Sequence, residues 1–129
     1  MKIGFIGTGQ ITKAVVTGVI NSNLKISQIF VSERNKKISR ILKFKSKKIK
    51  IINNNQDIIN KSDWVFLAIT PTVGNKILNS LKFNKNKMII SFISTINLTQ
   101  LKKITGLKSN LVRAIPLPPI ALCKGPVPI

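Results

Sequence analysis

The sequence predicts an α/β domain built on a doubly wound, mainly parallel sheet, and three observations carry that prediction. Short apolar runs alternate with stretches whose apolar residues recur at helical spacing; the first run ends in a glycine turn, Gly7-Thr8-Gly9; and Trp64 to Ile69 is apolar at every position. Alternation at this spacing calls for right-handed βαβ crossovers. A strand without polar positions belongs inside a sheet covered on both faces.

Each element follows in order. Lys2 to Ile6 reads as a buried first strand and Gly7 to Gly9 as a tight turn. Ile11, Ala14, Val15, Gly18 and Val19 then give one apolar or small face to a helix over Gln10 to Asn21, ended by Asn21-Ser22-Asn23. Gln28 to Ser32 is rich in β-formers, and Ile38, Ile41 and Leu42 mark one face of a lysine-rich second helix. Lys50 to Ile52 is a third strand, followed by a polar loop, Asn53 to Gln56, and a brief helix from Asp57 to Lys61. Pro71 ends the Trp64–Ile69 strand; Val73, Ile77, Leu78 and Leu81 form a fourth helix face before an apolar strand at Met88 to Phe92. A short helix over Ile96 to Ile104, a sixth strand over Leu111 to Ile115 and an extended proline-rich tail from Pro116 complete the chain. No internal repeat or low-complexity linker interrupts it.

Composition narrows the function. At 129 residues, 43% of them hydrophobic, and with a mean hydropathy of +0.19, the chain suits a single folded domain. It has no run near the roughly 18 apolar residues of a membrane span. The opening Met1-Lys2-Ile3 lacks the apolar core and cleavage site of a signal peptide, so a cytoplasmic location is expected. Cys123 stands alone and histidine is absent, which leaves no support for a disulfide, a metal site or a Cys-His nucleophile.

The net charge of +19 is the most unusual property, with Glu33, Asp57 and Asp63 as the only carboxylate side chains. Lysines are spread through almost every segment, and Lys, Ile and Asn are overused together. That pattern favours a compositional drift over a built nucleic-acid stripe, although the charge attracts polyanions without specificity.

The chemistry lies in the first turn. Gly7-Thr8-Gly9-Gln10-Ile11-Thr12 occupies the place of G-x-G-x-x-G in a Rossmann domain, after a strand and opening a helix. Gly7 permits the turn, Gly9 lets backbone amides reach a pyrophosphate, and the positive end of the helix from Gln10 and Ile11 onward supplies the field. Thr12 replaces the third glycine and is expected to push the helix slightly from the sheet. At the end of the second strand, Arg34 and Lys36 can grip a 2′-phosphate with Ser32 and Asn35 adding hydrogen bonds, which favours NADP; Glu33 keeps NAD open through a ribose diol.

These segments resemble the N-terminal domain of the pyrroline-5-carboxylate reductases, which reduce a cyclic imine to proline with NAD(P)H. The resemblance runs through Ile3 to Gly9 with Ala14 and Gly18, Val31 to Arg34, Asn54 before Ser62-Asp63, Val65 to Pro71, Met88 to Ser91 and Val112 to Pro116. It implies that Asn54 lies on the adenosine side and that Ala68, Ile69, Thr70 and Pro71 border the nicotinamide. It assigns no catalytic side chain. Thr70 stands where the family usually has lysine, Ser94-Thr95 where it tends to have Ala-Gly, and Leu117-Pro118-Pro119 where it has Asn-Thr-Pro. The family's helical second domain, which dimerises and supplies much of the imine site, has no counterpart before Ile129, so residues 1–115 are expected to be the cofactor domain and 116–129 a tail leading toward it. Another NAD(P)-dependent oxidoreductase, a non-catalytic cofactor- or polyanion-binding module, and a fragment of a longer reductase are the alternatives.

Overall fold

The computed structural model describes residues 1–106 and 110–129. Six strands, β1 (Lys2–Ile6), β2 (Gln28–Ser32), β3 (Ile49–Ile52), β4 (Trp64–Leu67), β5 (Met88–Ser91) and β6 (Leu111–Arg113), form one sheet of order β3-β2-β1-β4-β5-β6. Every pairing is parallel. The helices are α1 (Gln10–Asn21), α2 (Lys36–Lys45), α3 (Asn55–Lys61), α4 (Pro71–Asn79) and α5 (Leu98–Thr105). The chain therefore winds outward from β1 to β3 and then crosses back to β4, the reversal that opens a crevice above the carboxyl ends of β1 and β4.

Two apolar layers sandwich the sheet. Ile3, Phe5, Val31 and Ile29 pack with Val15 and Val16 of α1 and Ile38 and Leu42 of α2 on one face. On the other face, Val65, Leu67 and Ile89 pack with Ile58 and Ile59 of α3, Leu78 of α4 and Leu101 of α5. The uniform apolarity of β4 has its reason here: Val65 and Leu67 serve one layer while Phe66 serves the other, stacked on Phe5 with ring centroids 4.6 Å apart. The strand is shorter than the apolar run, however, and its first residue, Trp64, is 40% exposed at the amino end of the sheet. Expectation and structure part there, because a strand is buried only where helices cover it. Strands β5 and β6 are likewise trimmed at their carboxyl ends, where Phe92 and Ala114 enter loops.

Helix ends follow local chemistry. Asn35, Asn54 and Asn97 cap α2, α3 and α5 through their side-chain oxygens, and Pro71, instead of merely breaking the strand, occupies the first turn of α4. The tail departs most from expectation. Rather than running extended, Pro118–Leu122 forms a 3₁₀ turn that packs against α1. The Cys123 thiol donates to the Gly18 carbonyl at 3.2 Å, and Asn21 Nδ2 donates to Ala121 O at 3.3 Å. A Cβ at Gly18 would lie 2.2 Å from the Ile120 carbonyl oxygen, so glycine is what lets the two backbones meet. Among the described residues, no helix is long and apolar enough to cross a membrane.

Candidate functional site

The turn after β1 is locked from below. Gly7 has φ +97°, and a Cβ there would stand 2.4 Å from the Ala68 carbonyl oxygen, so both its conformation and its proximity to the β4 loop require glycine. The Gly7 N–H donates to Ser32 Oγ at 3.1 Å. Thr8 Oγ1 donates to the Ser32 carbonyl at 2.5 Å, so the 2.8 Å contact between the two hydroxyls is donated by Ser32. Both side chains are buried. Ser32 thus braces the glycine turn from β2, and its hydroxyl is turned inward to the loop rather than outward to a phosphate.

Thr12 is absorbed in a related way. It is fully buried and donates to the Gly7 carbonyl at 2.8 Å, so the hydroxyl that replaces the third glycine of the motif ties α1 to the turn.

Gly9 is different. It is the cap position of α1 without any side-chain cap, and a Cβ placed on it would meet nothing within 4 Å. The fold itself does not need a glycine there; what the missing side chain leaves is clear access to the first turn of α1. Helix geometry leaves the N–H groups of Gln10, Ile11 and Thr12 without intrahelical partners, and Lys13 N bonding Gly9 O at 3.0 Å is the first rung of the helix. This is the cradle a pyrophosphate occupies in a dinucleotide fold.

Around it lies an open cleft of about 550 Å³ at the carboxyl ends of β1, β2 and β4, lined by Gly7, Thr8 and Gly9, by Arg34, Asn35 and Lys36, and by Ala68, Ile69 and Thr70. Three loops adjacent in the sheet order, though far apart in the chain, converge on one space. Arg34 and Lys36 are exposed on its rim, and Asn35 caps α2 by accepting from Ile38 N at 3.2 Å, which leaves its amide donor directed elsewhere. Thr70 is exposed and leaves the first turn of α4 uncapped, as Gly9 does for α1.

Not every sequence-predicted residue lines this cleft. The side chains of Gln10 and Ile11 border a groove between α1 and the tail, and Pro71 borders another between α4 and α5. Asn54 is committed to α3, its Oδ1 accepting from Gln56 N at 2.8 Å and Asp57 N at 3.3 Å. What the sequence did not disclose is the bracing role of Ser32, because its partners Gly7 and Thr8 lie 25 and 24 residues away.

Residues 2–95 match the family model described as NADP oxidoreductase, coenzyme F420-dependent. The chain belongs to that family. It is also similar to pyrroline-5-carboxylate reductases: to that of Arabidopsis thaliana with 26% identity over 123 residues, covering 94% of this chain and 44% of the relative. A crystal structure of the Streptococcus pyogenes enzyme superposes with a TM-score of 0.73 and 29% identity, over 90% of this chain and 42% of that one. The pyrroline carboxylate reductase of Plasmodium falciparum, solved with NADP bound, shares the fold with a TM-score of 0.82 at 24% identity, covering 98% of this chain and 46% of that one. The chain thus spans less than half the length of the relatives it matches. The resemblance read from the motifs therefore holds for the dinucleotide-binding domain, the part that family member and relatives have in common.

Proposed function

We propose that this chain is the NADPH-binding part of a reductase acting on a cyclic imine of the pyrroline-5-carboxylate type. The observation that carries the reading is the juxtaposition of an unobstructed helix N-terminus at Gly9 with the cationic rim of Arg34 and Lys36 in one cleft. The first-turn amides of α1 hold the pyrophosphate, Arg34 and Lys36 hold the 2′-phosphate with Asn35 donating beside them, and the Ala68–Thr70 loop borders the nicotinamide end. When bound, the nicotinamide supplies the hydride. An iminium carbon accepts that hydride without a proton in the same step, which suits a chain that has no histidine. The substrate pocket is completed by a helical domain of the kind the resemblance implies, with the 116–129 segment leading toward it.

Calorimetric titration with NADPH and NADH, on the chain and on Gly9→Val, tests the cofactor site. NADPH binds more tightly than NADH, and the variant keeps its fold and loses both, because the new side chain fills only the ligand's space. Failure of the unaltered chain to bind either cofactor would overturn the reading. Turnover of the imine with NADPH, after adding the helical domain of a relative, tests the substrate.

A second reading concerns the substrate alone. Thr70, exposed on the cleft where the family usually has lysine, favours a related oxidoreductase acting on a hydroxy acid. Turnover of such acids but not of the imine would select it.

A further inference from the structure

A second cleft lies at the opposite end of the sheet from the cofactor cleft. It has a volume of about 1010 Å³ and opens at the amino ends of the strands, where Lys2, Lys43, Lys47, Lys50, Lys61 and Lys87 line it. Asp63 is its one carboxylate, and that group accepts from the Lys2 backbone N–H at 2.8 Å. Lys87 is held in place, its Nζ donating to Ser62 O at 2.7 Å and Asn60 O at 3.1 Å. A lysine-rich composition alone scatters cations over the surface; here the topology gathers six of them into one concavity.

A second observation is independent of charge. Among the described residues, the aromatic side chains more than a third exposed are Phe44, at 91%, and Trp64, at 40%. Both stand at this end. Phe44 belongs to the last turn of α2, which supplies Lys43 and leads into Ser46 and Lys47 of the cleft wall. Trp64 begins β4, directly after Asp63, and pairs in register with Ile3 and Met88, the neighbours of Lys2 and Lys87. Neither ring is needed by the two core layers. A cationic groove flanked by exposed aromatic faces is the arrangement that binds single-stranded nucleic acid, with phosphates in the groove and unstacked bases on the rings. An anionic bilayer would meet the rings but would not enter a concavity.

We propose that this cleft is a binding site for single-stranded nucleic acid, separate from the cofactor cleft and open while a dinucleotide is bound. Recognition is by backbone charge and stacking, without sequence preference.

The test titrates a fluorescein-labelled thymidine oligomer of about 15 nucleotides by anisotropy at about 150 mM salt, where long-range attraction to net charge is largely screened. The triple variant Lys43→Gln, Lys47→Gln, Lys50→Gln binds about tenfold or more weakly. The charge-matched Lys102→Gln, Lys103→Gln, Lys124→Gln, remote from the cleft, binds as the unaltered chain does; equal losses in the two variants overturn the site in favour of net charge. Phe44→Ala, fully on the surface, weakens binding about fivefold or more without changing the salt slope. Trp64 is the only tryptophan, so stacking also quenches the intrinsic fluorescence on titration with unlabelled oligomer. Unchanged affinity in Phe44→Ala together with unquenched fluorescence overturns the stacking role and the proposal with it. Displacement of the oligomer by NADPH would place it in the cofactor cleft and overturn separateness. Vesicles rich in phosphatidylserine that outcompete the oligomer and lose their own binding in Phe44→Ala assign the surface to membrane instead. Thermal unfolding of each variant identifies any loss that comes from misfolding.

Discussion

At the residue scale, the site separates groups that touch a ligand from groups that hold them. Ser32 is of the second kind. Its hydroxyl satisfies the buried Gly7 N–H and completes the bond to Thr8, so Ser32→Ala strands a buried donor at the turn. Such a loss costs about 1–3 kcal/mol. It appears as a lower urea midpoint together with weaker binding of NADPH and NADH alike, since the pyrophosphate turn serves both. Arg34 and Lys36, which we propose to be of the first kind, lie exposed on the rim. Replacing both with alanine leaves stability within about 0.5 kcal/mol, weakens NADPH by about tenfold or more through lost charge-assisted bonds, and leaves NADH nearly unchanged. Calorimetry with the two cofactors reads the difference, and an equal loss for both would remove the 2′-phosphate from these residues.

At the scale of elements, what was legible was what depends on neighbours in sequence. The periodicity of Ile11, Val15 and Gly18 specified α1, and the unbroken apolarity of Val65-Phe66-Leu67 specified an inner strand, because both signals are local patterns of burial. The glycine turn was legible for the same reason: strand, turn and helix are consecutive. The tail was not. Prolines at 116, 118 and 119 read as extended chain, whereas the 3₁₀ turn at Pro118–Leu122 exists through its contact with α1, about a hundred residues earlier. Nor was the exposure of Trp64, since residue type reports apolarity and says nothing of where the covering helices stop. Gly18 holds the clearest consequence. Its α carbon faces the Ile120 carbonyl so closely that Gly18→Ala forces the tail off α1 or strains the helix, despite alanine's better helix propensity of about 1 kcal/mol. Overpacking of this kind costs about 1–3 kcal/mol, and urea unfolding should show a net loss. A gain in stability would mean that the tail contributes nothing to the fold.

At the scale of the whole molecule, the charge sets two salt dependences of opposite sign. A net charge of +19 on 129 residues, with only three acidic side chains to offset it, means that folding brings cations together throughout the surface. Self-repulsion of this kind destabilises the compact state and is screened as ionic strength rises. Binding of an anionic dinucleotide runs the other way, because the same field that strains the fold attracts the ligand. Raising salt from about 20 to 300 mM shortens the Debye length from roughly 20 Å to about 6 Å, enough to silence repulsion between distant lysines while leaving direct hydrogen bonds in place. The free chain then gains on the order of 1 kcal/mol and melts about 4 °C higher, while NADPH affinity falls over the same range. Scanning calorimetry and isothermal titration in matched buffers measure the two slopes. A gain in stability that depends on which anion supplies the salt at matched ionic strength means that specific anion binding rather than screening governs the fold, and the charge is then partly a built site; a gain that tracks ionic strength alone makes the dispersed lysines a long-range field and leaves specificity to the few cations that line a cleft.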